Sequence, residues 1–217
     1  MTQTRPAGDC TTAPLPNFRR VLVADQAATV LFALDGGAIG AAAGLDVFGV
    51  VVVACVSALG GGAIRDLLTG HVPPAAVHDL RYLTLSLLGG LVAIASYRTA
   101  FDVAWEPVVA LDAAGLALFA VVGALMTLDR GLSVVSAALI GTITAVGGGV
   151  MRDIIINRVP VALNADVYAT AALLAATMTA VGVSRGYRRS TVAVVAGLTC
   201  FTLRMTTHHF GWSLPTL

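Results

Sequence analysis

The chain has no lysine; all 13 of its basic residues are arginine. Charge of either sign is scarce, at 12% of residues, where a soluble domain carries roughly 25%. A chain this poor in charge cannot cover a water-facing surface, and its 57% hydrophobic content points to lipid. The net charge of +1 supplies no field to attract nucleic acid. The three cysteines, Cys10, Cys55 and Cys200, are scattered and fit neither a disulfide framework nor a metal cluster. Cys55 and Cys200 sit in apolar runs and read as small core- or lipid-facing residues. His71, His78, His208 and His209 lie near loops or the C-terminus and fit solvated histidines. No nucleophile triad, metal-ligand spacing or phosphate loop occurs. No cofactor, resident metal or enzymatic activity is therefore expected.

Long apolar runs are plentiful. A membrane-spanning helix needs roughly 20 mostly apolar residues. Seven stretches meet or approach this: about 22–43, 47–69, 81–98, 109–128, 133–156, 166–184 and 191–208. Residues 1–20, with Pro6, Pro14 and Pro16, read as a flexible tail. Arg19-Arg20 ahead of an apolar run resembles a signal peptide. The run is too long for that, holds Asp25 and Asp35, and has a partner later in the chain.

That partner emerges when the sequence is shifted by 87 residues without a gap. Asp25 then falls on Asp112, Phe32 on Phe119 and Gly36 on Gly123. Gly44-Leu45 falls on Gly131-Leu132. Gly60-Gly61-Gly62 falls on Gly147-Gly148-Gly149, and Arg65-Asp66 on Arg152-Asp153. Val72-Pro73 falls on Val159-Pro160, and Asp79 on Asp166. Apolar composition alone does not align charges, prolines and a glycine triplet in one register. Each copy holds three helices. Three is odd, so the second copy enters the membrane from the opposite face, as an inverted repeat. The expected organisation is a tail at 1–20, a first three-helix repeat at 21–100, a second, inverted one at 108–186, and a seventh helix at 190–210.

Each copy carries Gly-Gly-Gly-x-x-Arg-Asp. Glycine costs about 1 kcal/mol relative to alanine in a helix interior, so the triplets Gly60–Gly62 and Gly147–Gly149 predict kinks or breaks that line a pathway. Helix packing is the alternative, because Ala54, Ala58 and Gly62, like Gly141, Ala145 and Gly149, form small-xxx-small faces. Charges inside a bilayer are costly and usually functional. Arg65, Asp66, Arg152 and Asp153 therefore read as pore-lining or gating groups, or else as interfacial anchors that snorkel. If they are deep, Arg65 is placed to reach Asp153, and Arg152 to reach Asp66. Asp25 and Asp112 stand near helix starts, where an acid favours the dipole. Asp35 lies deeper and has no acidic counterpart at position 122, which makes it a functional candidate. Gly36, Gly40 and Gly44 form a double GxxxG packing face.

The doubled motif, the following Val-Pro and the seven-helix, inverted 3+3 pattern resemble the prokaryotic members of the trimeric intracellular cation channel family, the TRIC channels, over about residues 20–208. The resemblance implies a multi-pass protein of a prokaryotic plasma membrane. It implies a homotrimer with one pore per protomer, lined by kinked second and fifth helices and conducting monovalent cations, chiefly K⁺, which pass transiently. By the motif, Gly60–Gly62 and Gly147–Gly149 would form the kinks, and Arg65, Asp66, Arg152 and Asp153 would line or stabilise the pore. The lysine-bearing motif and charged tail of animal members are absent, so their lipid or calcium regulation does not carry over. A count of arginines by alternate loops, eight against three, favours a cytoplasmic N-terminus, whereas the resemblance implies the other side. A secondary transporter of a small solute and a non-conducting scaffold are the competing functions.

Overall fold

The computed structural model describes residues 18–100, 105–163 and 167–212, and these are all-helical. In chain order the helices are α1 (Phe18–Ala42), α2 (Val47–Leu68), the single turn α3 (Ala75–His78), α4 (Leu80–Ala100), α5 (Trp105–Asp129) and α6 (Val134–Ile155). A 3-10 turn at Val161–Leu163 leads to α7 (Ala169–Ser184) and α8 (Arg189–Phe210). Residues 1–17, most of the expected tail, and Asp166 lie outside the described residues.

Local chemistry sets the ends of α2 and α6 in matching ways. The Asp46 side chain accepts from Gly49 N, and Ser133 accepts from Ser136 N. Such caps satisfy donors that the first helical turn leaves free and contribute about 1 kcal/mol each. Both helices end on a left-handed residue, Gly70 at φ 74° and Asn157 at φ 56°. Asparagine is among the few other residues that visit this conformation at low cost. The turn is closed by His71 N donating to Asp66 O, and by Arg158 N donating to Asp153 O, both at 2.8 Å.

Five helices, α1, α2, α5, α6 and α8, are long and apolar enough to cross a membrane, while the apolar stretches Leu80–Ser96 and Ala169–Ser184 are shorter. α5 lies at the centre, packed on α1, α6, α7 and α8. There Phe32 and Phe119, matched by the 87-residue shift, stack with ring centroids 5.3 Å apart. Alanine and glycine fill much of the remaining core, including Ala28, Ala113, Ala120, Ala145, Ala172 and Ala176, all buried. Small residues let helices approach closely and gain dispersion contacts, which drive association where lipid removes the hydrophobic term. The periphery shows Phe48, Leu88, Leu91, Leu139, Ile154 and Leu198 exposed, as an acyl-chain environment favours.

α1 shows how far the GxxxG expectation holds. A Cβ on Gly36 would lie 2.6 Å from Ser57 Cβ on α2, and one on Gly40 would be 3.5 Å from Val50 Cα. A Cβ on Gly44 would meet nothing within 4 Å; Gly44 adopts φ 79°, donates its N–H to Ala41 O and ends the helix instead of packing it. Arg204 corrects the loop count of arginines, since it is buried within α8 and not in a loop.

Candidate functional site

The glycine triplets do not break their helices. α2 and α6 run uninterrupted through Gly60–Gly62 and Gly147–Gly149. The glycines serve a close crossing of the two helices. A Cβ on Gly61 would lie 2.1 Å from Thr144 O, and a Cβ on Gly148 would lie 2.0 Å from Ser57 O. The flanking positions reciprocate: a Cβ on Gly60 would lie 2.6 Å from Met151 Sδ, and one on Gly147 would lie 3.2 Å from Ile64 Cδ1. No side chain fits between these backbones, which is the physical reason for glycine at both positions. The third glycine of each triplet does something else. A Cβ on Gly62 would stand 3.7 Å from Arg65 Nη2, and one on Gly149 would stand 3.7 Å from Arg152 Nη2. It leaves room for the arginine to fold back along its own helix.

Beyond the crossing, one turn after Gly61, lies the first charged cluster. Arg65 Nη1 donates to Asp25 Oδ1 at 2.8 Å, and its Nε donates to Asp66 Oδ1 at 3.1 Å. Tyr82 OH donates to Asp25 Oδ2 at 2.6 Å. Asp66 Oδ2 accepts from Ala75 N at 3.0 Å, which fastens α3 beneath the motif. Arg130, at the end of α5, donates through Nη2 to Asp66 Oδ1 at 3.2 Å. A cavity of about 10 Å³ lined by Asp25, Thr29, Arg65, Asp66 and Tyr82 adjoins the cluster. It has room for about one water.

One turn after Gly148 lies the second cluster. Arg152 Nε donates to Asp153 Oδ1 at 2.9 Å, and Asp153 Oδ2 accepts from Val161 N at 3.0 Å. Arg152 Nη1 donates to Asp35 Oδ2 and stands 3.9 Å from Asp112 Oδ1. Tyr168 OH donates to Asp112 Oδ1 at 2.9 Å. The Arg204 guanidinium lies over the Tyr168 ring, 5.1 Å from its centroid. Asp25 and Asp35 are ten residues apart on α1, so the clusters are about 15 Å apart along that helix.

Arg65 and Asp66 are each 1% exposed, and Arg152 and Asp153 are 3% and 4%. They lie inside the protein and do not snorkel as anchors. The expected exchange between motifs, Arg65 with Asp153 and Arg152 with Asp66, is not formed. Each arginine instead curls onto the aspartate beside it and reaches an acid on α1 or α5. The halves do exchange partners, through groups that the repeat does not match: Arg130 reaches Asp66, and Asp35 reaches Arg152. Asp25 and Asp112 are not caps, because α1 starts at Phe18 and α5 at Trp105. Each lies two turns into its helix and accepts an ion pair.

Sequence reasoning missed Tyr82, Tyr168, Arg130 and Arg204. The tyrosines were detectable: 112 − 25, 152 − 65 and 153 − 66 each give 87, whereas 168 − 82 gives 86. A one-residue deletion after the second motif hides the match from an ungapped comparison. An apolar groove of about 530 Å³ between α1, α5 and α8 holds none of the motif residues.

Comparison with known proteins agrees with this geometry. A family model described as "Glycine transporter" matches residues 22–98 and 109–184, the two segments that carry the clusters. A UPF0126 membrane protein of Streptomyces coelicolor is 44% identical over 94% of this chain and 92% of its own length. One from Vibrio cholerae is 32% identical over 88% of this chain and 80% of its own. An inner membrane relative, YadS of Escherichia coli, is 33% identical over 69% of this chain and 72% of its own. Among solved structures, a TRIC cation channel superposes with TM-score 0.82 at 32% identity, covering 90% of this chain and 96% of that one. The TRIC orthologue from Rhodobacter sphaeroides gives TM-score 0.82 at 29% identity, covering 88% and 98%. With its apolar helices and these relatives, the protein is a multi-pass membrane protein of the bacterial plasma-membrane type. The chain belongs to the family of UPF0126 membrane proteins, matches the family model described as "Glycine transporter", and is a prokaryotic relative of the TRIC channels.

Proposed function

We infer that this protein is a non-enzymatic channel for monovalent cations, chiefly K⁺, assembled as a homotrimer with one pore per protomer along α2 and α6. The observation that carries the reading is the likeness to TRIC cation channels over nine-tenths of the chain at TM-score 0.82, joined to the charged clusters that flank the α2–α6 crossing. The seven longer helices span the bilayer, with 21–100 and 108–186 as oppositely oriented repeats and 190–210 as an added span. The reciprocal contacts at the crossing support this arrangement, since a two-fold axis makes residue i meet j and j meet i. Gly60–Gly62 and Gly147–Gly149 form the narrow contact that must part for ions to pass. Arg65, Asp66, Arg152, Asp153 and Asp35 hold it closed. Breaking a buried ion network leaves charges uncompensated at about 3–5 kcal/mol, enough to keep a resting state shut.

The family description favours a second reading, a carrier of glycine or a similar small zwitterion. Two buried clusters on either side of a crossing also suit alternating access, in which one opens while the other stays closed. Purified protein in planar bilayers separates the two readings. Discrete K⁺-selective current steps are expected. Saturable glycine uptake into proteoliposomes without current steps would replace the channel by the carrier.

A further inference from the structure

The two clusters share a plan but not a charge. In the first, the guanidinium groups of Arg65 and Arg130 face the carboxylates of Asp25 and Asp66, and every one of those carboxylate oxygens accepts a bond. In the second, Arg152 faces three carboxylates, Asp35, Asp112 and Asp153. Arg204, over Tyr168 and within Coulombic range of Asp112, adds one further cation. Among the described residues, even with Arg204 counted in full, at least one negative charge remains unmatched if all three acids are ionised. Burying an unmatched charge costs so much that the group binds a proton or a counter-ion instead.

The geometry indicates which acid takes it. Asp35 is fully buried, and its Oδ1 has no hydrogen-bond partner among the described residues. Asp153 has a donor on both oxygens, and Asp112 is held by Tyr168. Among the described residues, the groups around this part of α1 offer Asp35 no further cation. α6 presents Arg152 and Asp153, and α5 presents Asp112. α2 presents the uncharged Ser57 beside Gly36, and α4 packs Gly89, Gly90 and Ala93 against Ala33 and Gly37. Asp25, on α1 itself, belongs to the other cluster. Val122 stands where the repeat would place an equivalent of Asp35, so the extra acid is particular to the second cluster.

We propose that Asp35 is a proton-binding site: its Oδ1 carries a proton in the closed state, while Oδ2 keeps the bond from Arg152. A proton needs no cavity, which suits a fully packed position, and it removes one of the negative charges that Arg152 cannot match. When it leaves, the interior gains one unmatched negative charge that water or a permeant cation must enter to offset. Alkaline pH therefore loosens the second cluster and the crossing beside it, and flux rises as pH increases. The proton site stands on the charge count and the orphan oxygen alone; the flux consequence rests on the channel or carrier reading.

Two measurements on the full chain in lipid test this. Infrared difference spectra across pH should show a protonated-carboxyl carbonyl band that disappears on deprotonation, is lost in Asp35→Asn and is shifted in Asp35→Glu. Identical spectra for wild type and Asp35→Asn overturn the proposal. If Asp35→Asn does not fold, a band that fails to shift in Asp35→Glu overturns it equally. In proteoliposomes, wild-type flux should rise several-fold from acidic to alkaline pH, and Asp35→Asn should be flat. An unchanged pH profile in Asp35→Asn, with the band absent, removes the site. A band with the expected behaviour but no flux of K⁺ or glycine at any pH leaves the proton site standing and overturns the transport reading.

Discussion

Replacing Gly148 by alanine should destabilise the protein, although alanine is the better helix former. The added Cβ would sit 2.0 Å from Ser57 O on α2, where ordinary contact begins at about 3.4 Å. The helices must therefore separate by about 1.4 Å at their closest point. The obstacle is a backbone carbonyl, so no side-chain rotation relieves it. Forcing extra carbon into such a site costs about 1–3 kcal/mol, sometimes more. The gain in helix propensity, about 1 kcal/mol, offsets part of this. At roughly 2–4 °C per kcal/mol for a chain of this size, the melting temperature should fall by several degrees. Gly62→Ala is the internal control. Its Cβ would meet only Arg65 Nη2 at 3.7 Å, so the propensity gain stands and the melting temperature should hold or rise. Thermal unfolding of both variants in the same lipid-detergent mixture, followed by size-exclusion profile, decides the matter. Equal stability of the two variants would refute the close-crossing account and return the triplets to the role of flexible hinges.

The other expectations concern the clusters and the core. Arg152→Ala leaves three buried acids around an empty position and should cost about 3–5 kcal/mol, read as loss of folded protein or a large fall in melting temperature. Arg130→Ala leaves the buried Asp25 and Asp66 with Arg65 as their one guanidinium partner among the described residues. It should cost about 1–3 kcal/mol, less than Arg152→Ala, because its side chain is 24% exposed and Asp66 keeps Arg65 and Ala75 N. An unchanged melting temperature would mean that the first cluster does not depend on Arg130 for its charge balance. Tyr168→Phe removes the donor to buried Asp112 and should cost about 1–3 kcal/mol, measured by thermal unfolding beside Tyr82→Phe. Phe119→Ala empties the ring stack at the centre of α1 and α5 and should cost about 3–5 kcal/mol.

Much of the fold is legible in the sequence because it depends on local rules. Apolar length placed the long helices to within a few residues. The 87-residue shift paired Asp25 with Asp112 and Phe32 with Phe119, and the structure gives each pair equivalent partners. The glycine faces announced helix packing. The errors came where a local rule met a long-range contact. A glycine triplet weakens an isolated helix, and the sequence alone therefore suggested a kink or a break, with close packing as the alternative; no break is present. Another backbone occupies the space beside Gly61 and Gly148, and its contacts hold both helices intact. Asp25 and Asp112 looked like caps because the polar starts of α1 and α5 extend beyond the apolar runs used to place them.

The sequence by itself determined that the chain is a bundle of apolar helices, where those helices turn, and which charges it carries into the bundle. Helix length, capping and left-handed turns act over a few residues and can be read off one segment at a time. Only the tertiary structure decided how those charges are partnered. Arg65 meets an acid 40 residues away and Arg152 one 117 residues away, distances over which no periodicity reaches. The same is true of the charge imbalance between the clusters. It arises because α1 threads past both and gives Asp25 to one and Asp35 to the other.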